Sequence, residues 1–298
     1  MILRRVIRRT HALARRALAA GAAATGQDLV ERTPYSPVTR LAADDPAWDR
    51  RASLVGVSFD LDAQLEFLER ELAPYVREFD PPHHDDGSGR FFLWNRYYQA
   101  VDAEVAYAMV RHLKPRRILE IGSGFSTLVL RTAAEWNARD GRPAEVEAVD
   151  AGPRPDIGGV RLSRRGAEDL PLDRYLELED GDVLFVDSSH VVRVGSEVNR
   201  LVLDVLPRLR PGVVVHFHDV FLPYEYPRAF QQQEMFLSEQ YLVHAFLIGN
   251  RDYEVVFAAH AASREQRDRV AAVVPSLRAR ADHHPAAFWI RNRRAPAE

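Results

Sequence analysis

Two regimes of apolar spacing divide the chain. Up to residue 113, apolar positions recur at helical intervals between polar stretches. Leu3, Val6, Ile7, Leu13, Ala14 and Ala17 share one face of a helix, with Arg4, Arg5, Arg8, Arg9, Arg15 and Arg16 on the others. Residues 27–60 carry Pro34, Pro37 and Pro46 and read as an extended linker. "LDAQLEFLERELAPYVREF" (61–79) has helical periodicity and is stopped by Pro81 and Pro82. After the loop "PPHHDDGSGR", a second helix is predicted over 95–113, closed before Pro115. Beyond it, short apolar runs at 117–121, 146–150, 183–187 and 213–217 alternate with helical or loop segments. Runs at 253–260 and 287–291 supply closing strands after a helix near 230–246. Such alternation predicts an α/β, Rossmann-like, doubly wound and mostly parallel sheet, covered on both faces by helices. The expected division is a helical N-terminal extension over 1–90 and one large domain over 91–298.

Composition narrows the partners. Net charge is −3, from 40 Lys+Arg against 43 Asp+Glu, so no overall basic footprint points to nucleic acid. Lys114 is the only lysine, a bias of GC-rich coding that hints at a bacterial source. The absence of cysteine excludes disulfides, thiolate chemistry and cysteine-based zinc sites. No run of 18 apolar residues exists, so no span is expected and a cytoplasmic location is. The arginines interrupt any secretory signal over residues 1–25. That arm is read either as a helix on anionic lipid or as one packed on its own domain or on a second subunit, in a homo-oligomer.

Candidate chemistry begins at "RILEIGSGFSTLVLRTAAEW" (117–136), where a strand ending in Glu120 enters a turn shaped by Gly122 and Gly124. A helix beginning near Ser126 and Thr127 presents free N–H groups there. A dinucleotide fingerprint would carry a third small residue, and this chain has Thr127 in that place. The second strand ends in Asp150, whose carboxylate suits both hydroxyls of a ribose, a helix cap being the alternative. At this point the chain resembles the class I S-adenosylmethionine-dependent methyltransferases over about residues 95–291. Glu120, Gly122, Ser123 and Gly124 match their first motif, and Asp150 their second-strand acid. The resemblance implies a seven-stranded sheet, S-adenosylmethionine as cofactor, contact of Gly122 and Gly124 with its methionine part, and of Asp150 with its ribose. Ala167 and Glu168, after the third strand, are the implied adenine contacts, and Trp94, Asn95, Tyr97 and Tyr98 the implied lid. Glu120 as a structural acid beneath the turn stays open, as does a nicotinamide-dependent oxidoreductase or a non-catalytic nucleoside-binding module.

The next two strands end in Asp187, followed by His190, and in His218–Asp219. Methyl transfer to an oxygen needs the acceptor positioned and its proton removed, by a base or by a metal that acidifies it. His190 has the chemistry of a base, and Asp187 and Asp219 are oxygen ligands suited to Mg²⁺ or another divalent cation. Capping by Asp187 and solvent exposure of His190 are the structural alternatives. The D-x-x-H spacing is similar to that of metal-dependent O-methyltransferases, especially those acting on sugar hydroxyls of macrolide antibiotics. The likeness implies a metal on Asp187, a base at His190, and natural-product tailoring of a small-molecule acceptor. Those relatives follow with an acidic pair where this chain has His218–Asp219, and catechol-type relatives with Asn where this chain has Val220. His218 is a nitrogen ligand, whereas Mg²⁺ prefers oxygen. In "VFLPYEYPRAF", Tyr224, Glu225 and Tyr226 are expected to wall the acceptor site, core anchoring being the alternative. The histidine–aspartate clusters at 83–86 and 282–284 lie beside prolines and read as loop.

Overall fold

The computed structural model describes residues 14, 16–27, 33, 36, 38, 40–153, 157–280 and 283–294. It divides into two units, Met1–Ala43 and Asp44–Glu298. In the first, residues 16–24 are helical. Leu3, Val6, Ile7, Leu13 and every arginine of the arm except Arg16 lie outside the described residues.

The second unit is built on strands β1 (Arg117–Ile121), β2 (Glu145–Val149), β3 (Arg161–Ser163), β4 (Val183–Val186), β5 (Val214–Phe217), β6 (Tyr253–Ala258) and β7 (Phe288–Asn292). They form one sheet of order β3-β2-β1-β4-β5-β7-β6. β1 to β5 pair in parallel, and β7 runs antiparallel between β5 and β6. The chain steps outward from β1 to β2 and β3, then returns to the other side of β1 with β4. That reversal opens a crevice beyond the strand ends, where ligands of such sheets bind.

Side-chain alternation along each strand feeds two cores. Val183 and Phe185 join one apolar cluster with Val105, Val129 and Trp289, whereas Leu184 and Val186 join the other with Leu119, Val215 and Ile290. Burial on both faces is why β4 reads as an unbroken apolar run rather than an alternating one.

Leu65, Leu68 and Leu72, in the expected N-terminal extension, are fully buried in the first core cluster. Three helical expectations shift. The helix over 61–78 is interrupted by a wider π turn at Leu68–Leu72, just before Pro74, which has no N–H to donate. The second helix starts at Asp102 rather than 95. Asn95 explains the delay: its side chain accepts from the N–H groups of Tyr97 and Tyr98 and donates to the carbonyls of Phe92 and Tyr98. Likewise the expected helix near 230–246 splits into Arg228–Gln232 and Glu239–Leu247, with Glu234 between them at φ +59°. Among the described residues no helix is long and apolar enough to cross a membrane.

Candidate active site

The glycine turn leaves the end of β1 under a tight constraint. Gly122 has φ +94°, and a Cβ there would lie 1.8 Å from the carbonyl oxygen of Asp187. Only glycine lets the β1 and β4 tips approach so closely. Gly124 differs: its backbone is extended, nothing lies near its Cβ position, and its N–H donates to Thr127 Oγ1 at 2.9 Å. Ser126 donates to Glu120 Oε1 at 2.6 Å, and Glu120, Ser126 and Thr127 are all buried. These three lie beneath the turn. Burial raises the Glu120 carboxyl to about 8 against the lowering effect of hydrogen bonds from Ser126 and Thr127.

Above the turn opens a cleft of about 440 Å³, bounded by Gly122, Ser123, Asp150, Arg165, Ala167, Glu168, Asp187 and Glu197. That volume is in the range of small-molecule sites. Asp150 is fixed by Ser123 Oγ, donating to Oδ2 at 2.5 Å, and by the Gly152 N–H, donating to Oδ1 at 2.8 Å. Of the sequence candidates for the cofactor, Gly122, Ser123, Asp150, Ala167 and Glu168 therefore face one cleft.

Asp187 is also the first member of a charged cluster at the β4 and β5 tips. His190 Nε2 and His218 Nδ1 each lie 3.4 Å from Asp187 Oδ1. Asp219 is 3.7 Å from His190 and 3.8 Å from His218. The far nitrogens face outward, His190 Nδ1 to Glu239 Oε2 at 2.8 Å and His218 Nε2 to Asp102 Oδ2 at 3.6 Å. Asp102 is itself held by the N–H groups of Ala286 and Ala287. Asp187, His190 and His218 present ligand atoms within 4.8 Å of one another, so the cluster fits a divalent cation.

Neighbouring charges shift the two groups at the centre of the cluster. Burial would push the His190 imidazole down, but Asp187, Glu239 and Asp219 outweigh it and hold the ring at about 10. His190 Nδ1 pairs with Glu239, while its Nε2 faces Asp187 and Asp219. Burial would raise Asp187, yet His218 and His190 hold it well below the usual carboxylate range.

The side chains of the expected acceptor wall have partners of their own. Tyr224 donates its hydroxyl to Glu265, and its ring lies under Arg264. Glu225 pairs with Arg50 and accepts from Tyr241. Tyr226 is buried, its hydroxyl accepting from the Gln240 N–H. Residues 50–52 return to cover this loop, the Ala52 N–H donating to Pro223 O. In the two loop clusters, Asp85 and Asp86 accept from their own turn's backbone and His283 bonds Ala100 O, while Asp282 lies outside the described residues. Asp102, Glu197 and Glu239 were not anticipated; each reads in sequence as an ordinary acid in a helix's first turn.

Residues 119–220 match the model of a family described as a methyltransferase domain. An uncharacterized protein of Archaeoglobus fulgidus is 33% identical over 78 residues, which are 26% of this chain and 35% of that protein. The match thus spans about a third of that relative. Among solved structures, an apo form of CmcI is 20% identical, covering 65% of this chain and 71% of its own at a TM-score of 0.38. The O-methyltransferase TomG from Streptomyces achromogenes, in complex with SAM, is 15% identical, covering 80% and 92% at 0.37. MycE from the mycinamycin biosynthetic pathway, in complex with Mg, SAH and mycinamycin VI, is 17% identical, covering 62% and 48% at 0.35. Residues 119–220 of this chain are thus similar to a methyltransferase domain, and they lie in a seven-stranded, mostly parallel Rossmann-like sheet.

Proposed function

We propose that the protein transfers a methyl group from S-adenosylmethionine to a hydroxyl oxygen of a small molecule. One observation carries the reading: Asp187 belongs to both halves of the site, as a wall of the cleft beside Gly122 and as the centre of the histidine–aspartate cluster. A donor seated along Gly122, Ser123 and Asp150 would have its reacting end at the tip of β4, next to the groups that prepare an acceptor.

The acceptor oxygen attacks the methyl carbon in line with the carbon–sulfur bond. That bond breaks with its electron pair on sulfur, leaving S-adenosylhomocysteine, and the hydroxyl proton departs to a carboxylate of the cluster or to water. Asp187, Asp219, His190 and His218 are the residues that would hold a divalent cation. Such an ion would acidify the hydroxyl. Sugar or other natural-product hydroxyls, acted on in a bacterial cytoplasm, are the acceptor class the sequence resemblance supports. Self-association or membrane contact through residues 1–25 remains a proposal separate from the chemistry.

Calorimetric titration with S-adenosylhomocysteine and with NAD⁺ tests the cofactor. Binding of the first alone is expected, and tight NAD⁺ binding would favour an oxidoreductase. Methyl transfer from labelled donor to a panel of sugar and phenol acceptors then tests the reaction.

A further inference from the structure

We infer that the cluster is a mixed imidazole–carboxylate site for a borderline 3d cation, of the Zn²⁺, Co²⁺ or Fe²⁺ class, with His190 as a ligand through Nε2 and Mg²⁺ a poor fit. This deepens the methyl-transfer reading and rests on it for its consequence, though not for the binding itself.

The orientation of the imidazoles is the first support. His190 donates Nδ1–H to Glu239 and so turns the Nε2 lone pair inward; His218 faces Asp102 with Nε2 and turns Nδ1 inward. A carboxylate hydrogen-bonded behind the ring, as Glu239 is behind His190 at 2.8 Å, fixes the tautomer of metal-bound histidine, while Asp102 stands 3.6 Å behind His218. Glu239 is fully buried and Asp102 nearly so, hence neither carboxylate turns away to solvent.

Spacing is the second. The inward contacts of 3.4, 3.4, 3.7 and 3.8 Å are too long for charge-assisted hydrogen bonds. Donors at tetrahedral corners about 2.1 Å from an ion would lie ~3.4 Å apart, which the two contacts to Asp187 Oδ1 match, whereas Asp219 meets the two rings with different oxygens.

The backbone is the third. His190 has φ +57° and Asp219 φ +52°, left-handed values that are uncommon for residues other than glycine. The His190 carbonyl accepts from the N–H groups of both Ser238 and Glu239, so the loop is clamped in that state. Two nitrogens and one carboxylate suit a borderline ion, whereas Mg²⁺ requires near-octahedral oxygen coordination and gives up its water reluctantly.

Equilibrium dialysis of the full chain against Co²⁺, in the presence of millimolar Mg²⁺, tests the proposal. One Co²⁺ per chain is expected, with the intense visible bands of a four- or five-coordinate ion. Proton NMR of that sample should show two exchangeable, paramagnetically shifted resonances, from Nδ1–H of His190 and Nε2–H of His218. His190→Ala should lose one of them and weaken Co²⁺ binding at least ~10-fold. Displacement of Co²⁺ by equal Mg²⁺, no bound Co²⁺, fewer than two shifted resonances, or unchanged affinity in a folded His190→Ala would each overturn it. Should that variant not fold, the resonances of the parent chain decide. S-adenosylhomocysteine titrated into the same sample separates the readings: no binding beside an intact Co²⁺ signature sinks methyl transfer alone, and binding without Co²⁺ sinks the ion site alone.

Discussion

The two sides of the crevice are made of different materials. On the β1–β2 side, Gly122, Ser123 and Asp150 use backbone freedom and short neutral or single-charge hydrogen bonds of 2.5–2.9 Å. On the β4–β5 side, two imidazoles and two carboxylates stand 3.4–3.8 Å apart and are braced from behind by Asp102 and Glu239. The first side leaves room for a ligand to approach the backbone closely; the second concentrates charge where the proposed transfer would release a proton. Such a contrast implies separable losses: changes on one side should strike binding or folding, and changes on the other should strike turnover.

The largest effect is expected where the two sides touch. Gly122→Ala would drive a methyl into the Asp187 carbonyl at a positive φ, costing about 4 kcal/mol or more in a urea unfolding measurement. Gly124→Ala, in the same motif but with open space and an extended backbone, should cost about 1 kcal/mol or less. Equal costs would mean that the β1–β4 contact is not the constraint. Next comes Asp219→Asn, which should lower methyl-transfer turnover by roughly 10²–10⁴-fold. S-adenosylhomocysteine affinity should stay within about threefold, since Asp219 does not wall the cleft. A parallel loss of cofactor affinity would erase the division between the sides.

The same contrast governs what could be read from sequence. The β1–β2 side is nearly contiguous: a strand, a glycine turn and a strand-end acid at the right distance expose Gly122 and Asp150 without knowledge of the fold. The alternation of apolar runs and helices likewise revealed the sheet, because buried parallel strands leave a distinct pattern. The cluster was legible only at its strand tips. Asp102 and Glu239 sit far along the chain, and only the insertion of β7 beside β5 brings Ala286 and Ala287 up to fix Asp102. Tyr224, Glu225 and Tyr226 are aromatic and polar enough to suggest an open wall. No local signal shows that residues 50–52 return to cover them, since that contact spans more than 170 positions.

Glu120 tests whether the floor beneath the turn is structural. Its folded affinity for a proton is raised to about 8 from 4.5, so the native state keeps a proton that the unfolded chain releases. Stability is therefore full below about pH 4.5 and declines by a few kcal/mol as pH rises through about 8. Glu120→Gln retains an acceptor for Ser126 and has no charge to bury, so this decline should vanish. Urea midpoints at about pH 5 and about pH 9 measure it. A midpoint that falls as much in the variant as in the parent would place the pH dependence elsewhere.

Asp150 carries the smallest and most specific expectation. Its two oxygens are held by Ser123 and Gly152, leaving lone pairs directed at the cleft it helps to wall. Asp150→Ala should weaken S-adenosylhomocysteine binding by about 1.5–3 kcal/mol, the worth of hydrogen bonds to a charged group. Because the substitution also frees Ser123 and Gly152, a loosened turn could give the same loss. An analogue lacking the ribose hydroxyls distinguishes the two: a ribose contact predicts that parent and variant bind it equally, whereas a loosened turn weakens it as much as the natural ligand. Ser123→Ala completes the cycle, since it breaks the hydrogen bond to Asp150 and spares the carboxylate. If that change costs as much as Asp150→Ala, the turn rather than the ribose accounts for the acid at the end of β2.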